Sequence, residues 1–173
     1  MIVCIVKRVK KYCEVDIFMS NNIYAIFIDI DGTLMERGTI PQQNIETIAS
    51  VRKLGHKVFL NTGRSYAYIP EQVFDKVEFD GVVAGIGAYV RYGDEIVRNV
   101  TIPENQLIEL ADYFLSIGAL CVFEGEDKLL YLNIDKRDDK LIISDSSDFS
   151  TIYKGVRISK VTVGRPLLEK EIE

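Results

Sequence analysis

At 173 residues, 47% of them hydrophobic, the chain carries enough apolar side chains for a sizeable core, which excludes a disordered polypeptide. A formal net charge of −5 excludes the clustered basic face that nucleic-acid phosphates demand; the one basic cluster is Lys7, Arg8, Lys10 and Lys11. Cys4, Cys13 and Cys121 are odd in number and lack paired ligand spacing, so neither a disulfide framework nor a zinc site is expected, and a reducing cytoplasm fits best.

Met1-Ile2-Val3-Cys4-Ile5-Val6 precedes basic residues, the reverse of a secretory signal, and is too short to span a bilayer. Apolar residues at Ile2, Ile5, Val6, Val9, Tyr12 and Cys13 fit a short amphipathic helix at a membrane surface. The preferred reading treats residues 1–18 as an extension upstream of a start at Met19.

Residues 23–28 form an apolar run without polar alternation, the pattern of a parallel strand covered on both faces. It ends abruptly in Asp29-Ile30-Asp31-Gly32-Thr33-Leu34. Two acids one residue apart at a strand's carboxyl end call for a cation or a proton to relieve their repulsion. Pro41 and Gly55 punctuate a helix over 42–54. A second strand at 57–60 runs into Asn61-Thr62-Gly63-Arg64, a helix is expected around 67–77, and a third strand at 81–84 completes a β-α-β-α-β unit with a parallel sheet. Residues 88–100 alternate like an antiparallel hairpin about Tyr92-Gly93-Asp94. Beyond Pro103 come a helix ended by Gly118, strands at 119–123 and 129–134 joined by a turn at Glu124-Gly125-Glu126-Asp127, a charge run from Asp135 to Lys140, and a strand at 158–163. The chain thus divides into the extension 1–18, an α/β half-core at 19–101 and a second, partial α+β domain at 102–173.

The pairing of Asp29-Ile30-Asp31-Gly32-Thr33 with Thr62-Gly63-Arg64 at the ends of two successive strands resembles the haloacid dehalogenase superfamily of phosphohydrolases. The interval between the motifs leaves room for a helix and a flap but no domain. That resembles the late-cap subgroup, the Cof-type sugar-phosphate phosphatases, and implies a Rossmann-like core with part of a cap. The resemblance implies Asp29 as the nucleophile that forms an aspartyl-phosphate, and Asp31 as general acid and then base. It implies Mg2+ held by Asp29 and the main-chain carbonyl of Asp31, and a Thr62 hydroxyl bonded to the phosphoryl group. Gly63 lets the backbone approach, while Gly32 and Thr33 shape a loop whose amides can donate to phosphate. Asp31 must hold a proton near neutral pH, which repulsion and partial burial favour. Arg64 reads either as a substrate-anion contact or as a surface ion pair.

After the third strand the family often carries Asn-Gly-Ala; here the segment is Gly85-Ile86-Gly87-Ala88, with Ile86 where Asn would stand. Family members return from the cap with a lysine and a Gly-Asp motif, and no convincing counterpart occurs before Glu173, so the resemblance implies a C-terminally truncated member. Gly93-Asp94 and Glu124-Gly125-Glu126-Asp127 read as solvated turns. The strand before Asp29 would then have an open edge, which predicts self-association. His56, the single histidine, is given no role; Tyr66 and Tyr68 are read as helix packing and residues 135–139 as a solvated face. The expected partner is a small phosphorylated metabolite, with no nucleic acid. The alternatives are a non-catalytic fragment that binds metal or phosphate and, more weakly, a receiver-like domain, which would need its acid where Gly85-Ile86-Gly87 stands.

Overall fold

The computed structural model describes residues 3–6, 23–133 and 140–164; the basic cluster at 7–11 and the charge run at 135–139 lie outside them. The described chain forms two units, one of the residues up to Arg64 with Ile69–Arg98, the other of Ser65–Tyr68 with the residues from Asn99 onward.

In the first unit the order is β1 (Val3–Val6), β2 (Ala25–Ile28), α1 (Gln42–Lys53), β3 (Lys57–Asn61), α2 (Glu71–Lys76), β4 (Gly81–Ala84), β5 (Tyr89–Tyr92) and β6 (Glu95–Asn99). The six strands make one sheet in sequence order, β1 to β4 parallel and β5 antiparallel to β4. Because the order advances in one direction, right-handed crossovers put α1 and α2 on the same face. Ile26, Ile28, Val58 and Leu60 are buried along with Ile48 and Val51 of α1 and Val73 of α2, whereas Phe27 and Phe59 are half-buried. The expectation of a strand covered on both faces is therefore corrected: among the described residues, helices cover one.

On the other face Phe27 stacks on Phe59, ring centroids 4.9 Å apart, and Phe59 on Tyr92 at 5.8 Å. Gly81 lies in register between Phe59 and Tyr92. A Cβ there would fall 2.7 Å from the Phe59 ring and 2.5 Å from the Arg91 carbonyl oxygen, so the row of rings requires glycine.

Two further expectations change. The edge of β2 is occupied by β1, in register from Val3↔Ala25 to Val6↔Ile28. For residues 3–6 the helical spacing yields to a run dominated by β-branched residues, the composition that favours strands; Val9, Tyr12 and Cys13 lie outside the described residues. The helix expected around 67–77 is split at Pro70, which caps α2, and Tyr66–Tyr68 form a separate 3-10 turn.

The second unit contains α3 (Glu104–Ser116), β7 (Cys121–Gly125), β8 (Leu129–Leu132), β9 (Leu141–Ile143) and β10 (Ile158–Val163). Its sheet runs β10-β7-β8-β9, with β7 antiparallel to β8 and β10, and β9 parallel to β8. Leu107 and Ala111 of α3 pack with Cys121, Phe123, Leu130, Leu132, Ile143, Phe149 and Ile158 in a buried core. Burial pushes the Cys121 thiol up to about 11, which keeps it protonated and inert. Glu124, expected in a turn, sits inside β7 and is 2% exposed. Among the described residues no helix is long and apolar enough to cross a membrane.

Candidate functional site

The candidate residues gather at the carboxyl ends of β2 and β3, which are parallel neighbours with Ile28 opposite Leu60. One residue past β2, exposed Asp29 accepts the Ile30 amide on Oδ1 at 2.8 Å. The following loop is fastened by its own backbone: Leu34 N–H donates to the Asp29 carbonyl at 3.0 Å and Met35 N–H to the Ile30 carbonyl at 2.8 Å. Gly32, at φ 72, takes the left-handed conformation this tight return needs. Its amide donates to the Met35 carbonyl at 3.0 Å and that of Thr33 to the Ile30 carbonyl at 3.4 Å. Those two amides, expected to face phosphate, are thus engaged inside the loop. The amides of Asp31 and Gly63 donate to no carbonyl among the described residues.

Asn44 of α1, which sequence reasoning did not single out, holds the same loop by donating to the carbonyls of Thr33 and Leu34 at 3.2 and 3.1 Å. No local pattern marks it, because the contact joins a helix to a loop ten residues earlier.

One residue past β3, Thr62 is 4% exposed. Its amide donates to the Val83 carbonyl at 2.9 Å, and its Oγ1 accepts the Arg64 amide at 3.2 Å, which leaves the hydroxyl hydrogen for an outside acceptor. Among the described residues, apart from its own chain neighbours, no atom lies within 4 Å of where a Cβ on Gly63 would stand, so the loop is open there.

Arg64 closes the constellation. Its Nε donates to Asp31 Oδ2 at 3.0 Å and a terminal nitrogen to Oδ1 at 2.9 Å, a two-pronged ion pair. Of the two readings of Arg64, the ion pair is the one seen. This hydrogen bonding, opposed by partial desolvation and aided by the guanidinium charge, holds the Asp31 carboxyl below its ordinary range. The Asp31 side chain is 63% exposed, so the burial and repulsion expected to raise its pKa are outweighed.

The donors available to a cation are hard oxygens: the exposed Asp29 carboxylate and the Asp31 carbonyl, which accepts no backbone hydrogen bond among the described residues. That set fits Mg2+, which keeps several waters and takes one or two protein carboxylates. Among the described residues no group of three or more His, Cys, Asp or Glu could hold a metal ion, so no additional carboxylate joins the set. His56 is buried, with Nδ1 accepting the Tyr24 amide at 3.4 Å, a contact that joins the ends of two strands.

The sequence profile of a family described as haloacid dehalogenase-like hydrolase matches residues 26–164. YkrA of Bacillus subtilis (strain 168), named a candidate phosphatase, is 28% identical over 105 residues, which cover 60% of this chain and 40% of YkrA. The solved sugar phosphatase BT4131, of subclass IIB, superposes with a TM-score of 0.62 at 26% identity, covering 76% of this chain and 55% of that one. A Geobacillus kaustophilus HTA426 protein shares the fold, with a TM-score of 0.69 at 21% identity over 87% of this chain and 61% of that one. The chain therefore spans between about two fifths and three fifths of the length of these relatives.

Proposed function

Since the chain belongs to the haloacid dehalogenase-like hydrolases, we propose that it takes part in hydrolysing phosphate monoesters of small metabolites through an aspartyl-phosphate. The observation that carries this reading is the meeting of Asp29, Asp31, Thr62 and Arg64 at two adjacent parallel strand ends. Exposed Asp29 attacks phosphorus in line and the ester oxygen leaves, which splits one difficult displacement into two easier ones. Thr62 donates its hydroxyl hydrogen to a non-bridging oxygen, and the amides of Asp31 and Gly63 are available to the same group. Arg64 is attracted to the incoming phosphate, and as it leaves Asp31 that carboxyl becomes able to carry the proton for the leaving oxygen. A bound Mg2+, held by Asp29 and the Asp31 carbonyl, would supply positive charge against the phosphate oxygens.

The test is release of phosphate from an aryl phosphate with Mg2+, comparing the chain with Asp29→Asn. Loss of about a hundredfold or more in the variant is expected; equal rates overturn the reading. A second reading, binding without turnover, is favoured by the absence of a further metal carboxylate among the described residues. It predicts no turnover by either protein, with orthophosphate bound by the unmodified chain.

A further inference from the structure

β6 is the last strand of the first sheet and has β5 on one side only. Gly93, at φ 55, opens a two-residue loop with Asp94 that joins Tyr92 of β5 to Glu95 of β6. Gly93 N–H donates to the Asp80 carbonyl at 2.9 Å, toward β4, so alternation along β5 turns the N–H and carbonyl of Tyr92 toward β6. Glu95 stands opposite Tyr92 across the loop. The backbone groups of Glu95 and Val97 therefore face β5, while those of Ile96 and Arg98 face outward. Among the described residues no backbone group beyond the strand ladders bonds to Ile96 or Arg98.

Every residue from Asp94 to Arg98 is exposed. Ile96 and Val97, whose side chains leave opposite faces, are 47% and 61% exposed, so neither face of the strand is covered. Asp94 and Arg98 enter no ion pair among the described residues. Charges commonly blunt an edge against pairing. These two are opposite in sign and each lies two residues from Ile96, a placement that a second copy of the same strand complements.

When a two-fold axis normal to the sheet pairs two copies of one strand, the strands run antiparallel and one residue faces its own copy. Centring on Glu95 opposes two carboxylates, and centring on Arg98 opposes two guanidinium groups; both repel. Centring on Val97 sets each Arg98 against an Ile96. Centring on Ile96 sets Ile96 against itself and Asp94 against Arg98 twice, and the outward N–H and carbonyl of each Ile96 meet those of its copy.

We propose that this edge is a homodimer interface, in which β6 of two copies of the chain pair antiparallel about Ile96 and join their six-stranded sheets into one. β2 and β3 of the two copies then run in opposite directions. The two candidate sites lie at opposite ends of the joined sheet, each built from its own copy. The proposal does not depend on the phosphatase reading.

The test is sedimentation equilibrium of the full chain at concentrations up to about 1 mM, the range in which a short edge associates, with amide exchange followed by NMR. Ile96→Pro removes the outward N–H and spares the ladder to β5, at an edge position that tolerates proline. Asp94→Arg and Arg98→Asp each set like charges face to face, and the combined variant exchanges the signs. The unmodified chain should dimerise, with exchange at Ile96 and Arg98 slowing as concentration rises while Glu95 and Val97 stay protected throughout. Ile96→Pro and each single charge variant should weaken the dimer about tenfold. The combined variant should return to within about threefold of the unmodified chain. A chain that stays monomeric at every concentration overturns the proposal, whatever else binds this edge. A dimer that all the variants leave unchanged, or a combined variant as weak as the single ones, overturns it too. Far-UV circular dichroism shows whether each variant is folded; should Ile96→Pro unfold, the charge variants, made at exposed side chains, decide alone.

Discussion

Ile86 shows how one backbone angle carries information that the sequence holds only implicitly. It stands at φ 57 and ψ 34, between Gly85 at φ 58 and Gly87 at φ 86, and is 82% exposed. A β-branched side chain in the left-handed region is strained, and the residues that tolerate the region are Gly and Asn. The Asn of the related motif is thus accounted for by conformation as well as by any polar contact. Ile86→Asn should raise the unfolding free energy by about 1 kcal/mol, read from urea denaturation. Asp29, Asp31 and Thr62 stood out in the sequence because each lies within three residues of the end of an apolar run. The state of Asp31 was not, since the ion pair with Arg64 joins residues on two different loops. Glu124 was misread because its neighbours Gly125, Glu126 and Asp127 have turn composition, while the register partner that pays its burial, Lys160, is far along the chain.

At the scale of elements, α1 and α3 were legible within a residue or two, because Pro and Gly mark their ends and apolar spacing their length. The three-residue β9 was not: its pairing with β8 is a tertiary event with no local signature. The joint between the N-terminal ends of β3 and β4 is made by Asp80, which accepts from the Val58 amide at 2.9 Å, from Lys57 Nζ at 3.1 Å and from Arg52 Nε at 3.1 Å. Burial pushes its carboxyl up, but the Val58 amide, Lys57 and Arg52 together hold it below the ordinary value. A group with a depressed folded pKa stabilises above its unfolded pKa of about 3.9 and loses that contribution as pH falls through the folded value. Asp80→Asn should therefore cost about 2 kcal/mol at neutral pH. The gap between the two proteins in urea midpoints should narrow once pH falls below the unfolded value of about 3.9 and close as it falls through the lower folded value of Asp80.

For the whole molecule, the α/β architecture and the antiparallel β7–β8 pair of the second sheet followed from the order of short strands and helices. The partner of β2 did not, because β1 sits in a segment whose spacing also suits a helix. With β1 in place, the edges of the first sheet are β1 and β6. A chain beginning at Met19 would leave the hydrogen-bonding edge of β2 bare, and bare edges pair with other chains. Such a chain should unfold at lower urea and show more self-association by size-exclusion with light scattering than the full chain; indistinguishable behaviour would show that β1 contributes nothing to the sheet.

The segment Ser65–Tyr68 belongs with the later part of the chain although Arg64 before it and Ile69 after it belong with the earlier part. The polypeptide is therefore stitched rather than strung, and no single recombination breakpoint separates its two units. A gene fragment starting at Asn99 would inherit the sheet that carries Glu124 without the Ser65 amide, which donates to Glu124 Oε2 at 3.3 Å. Exchange of this region among related genes would have to carry the four residues along or replace them in the recipient.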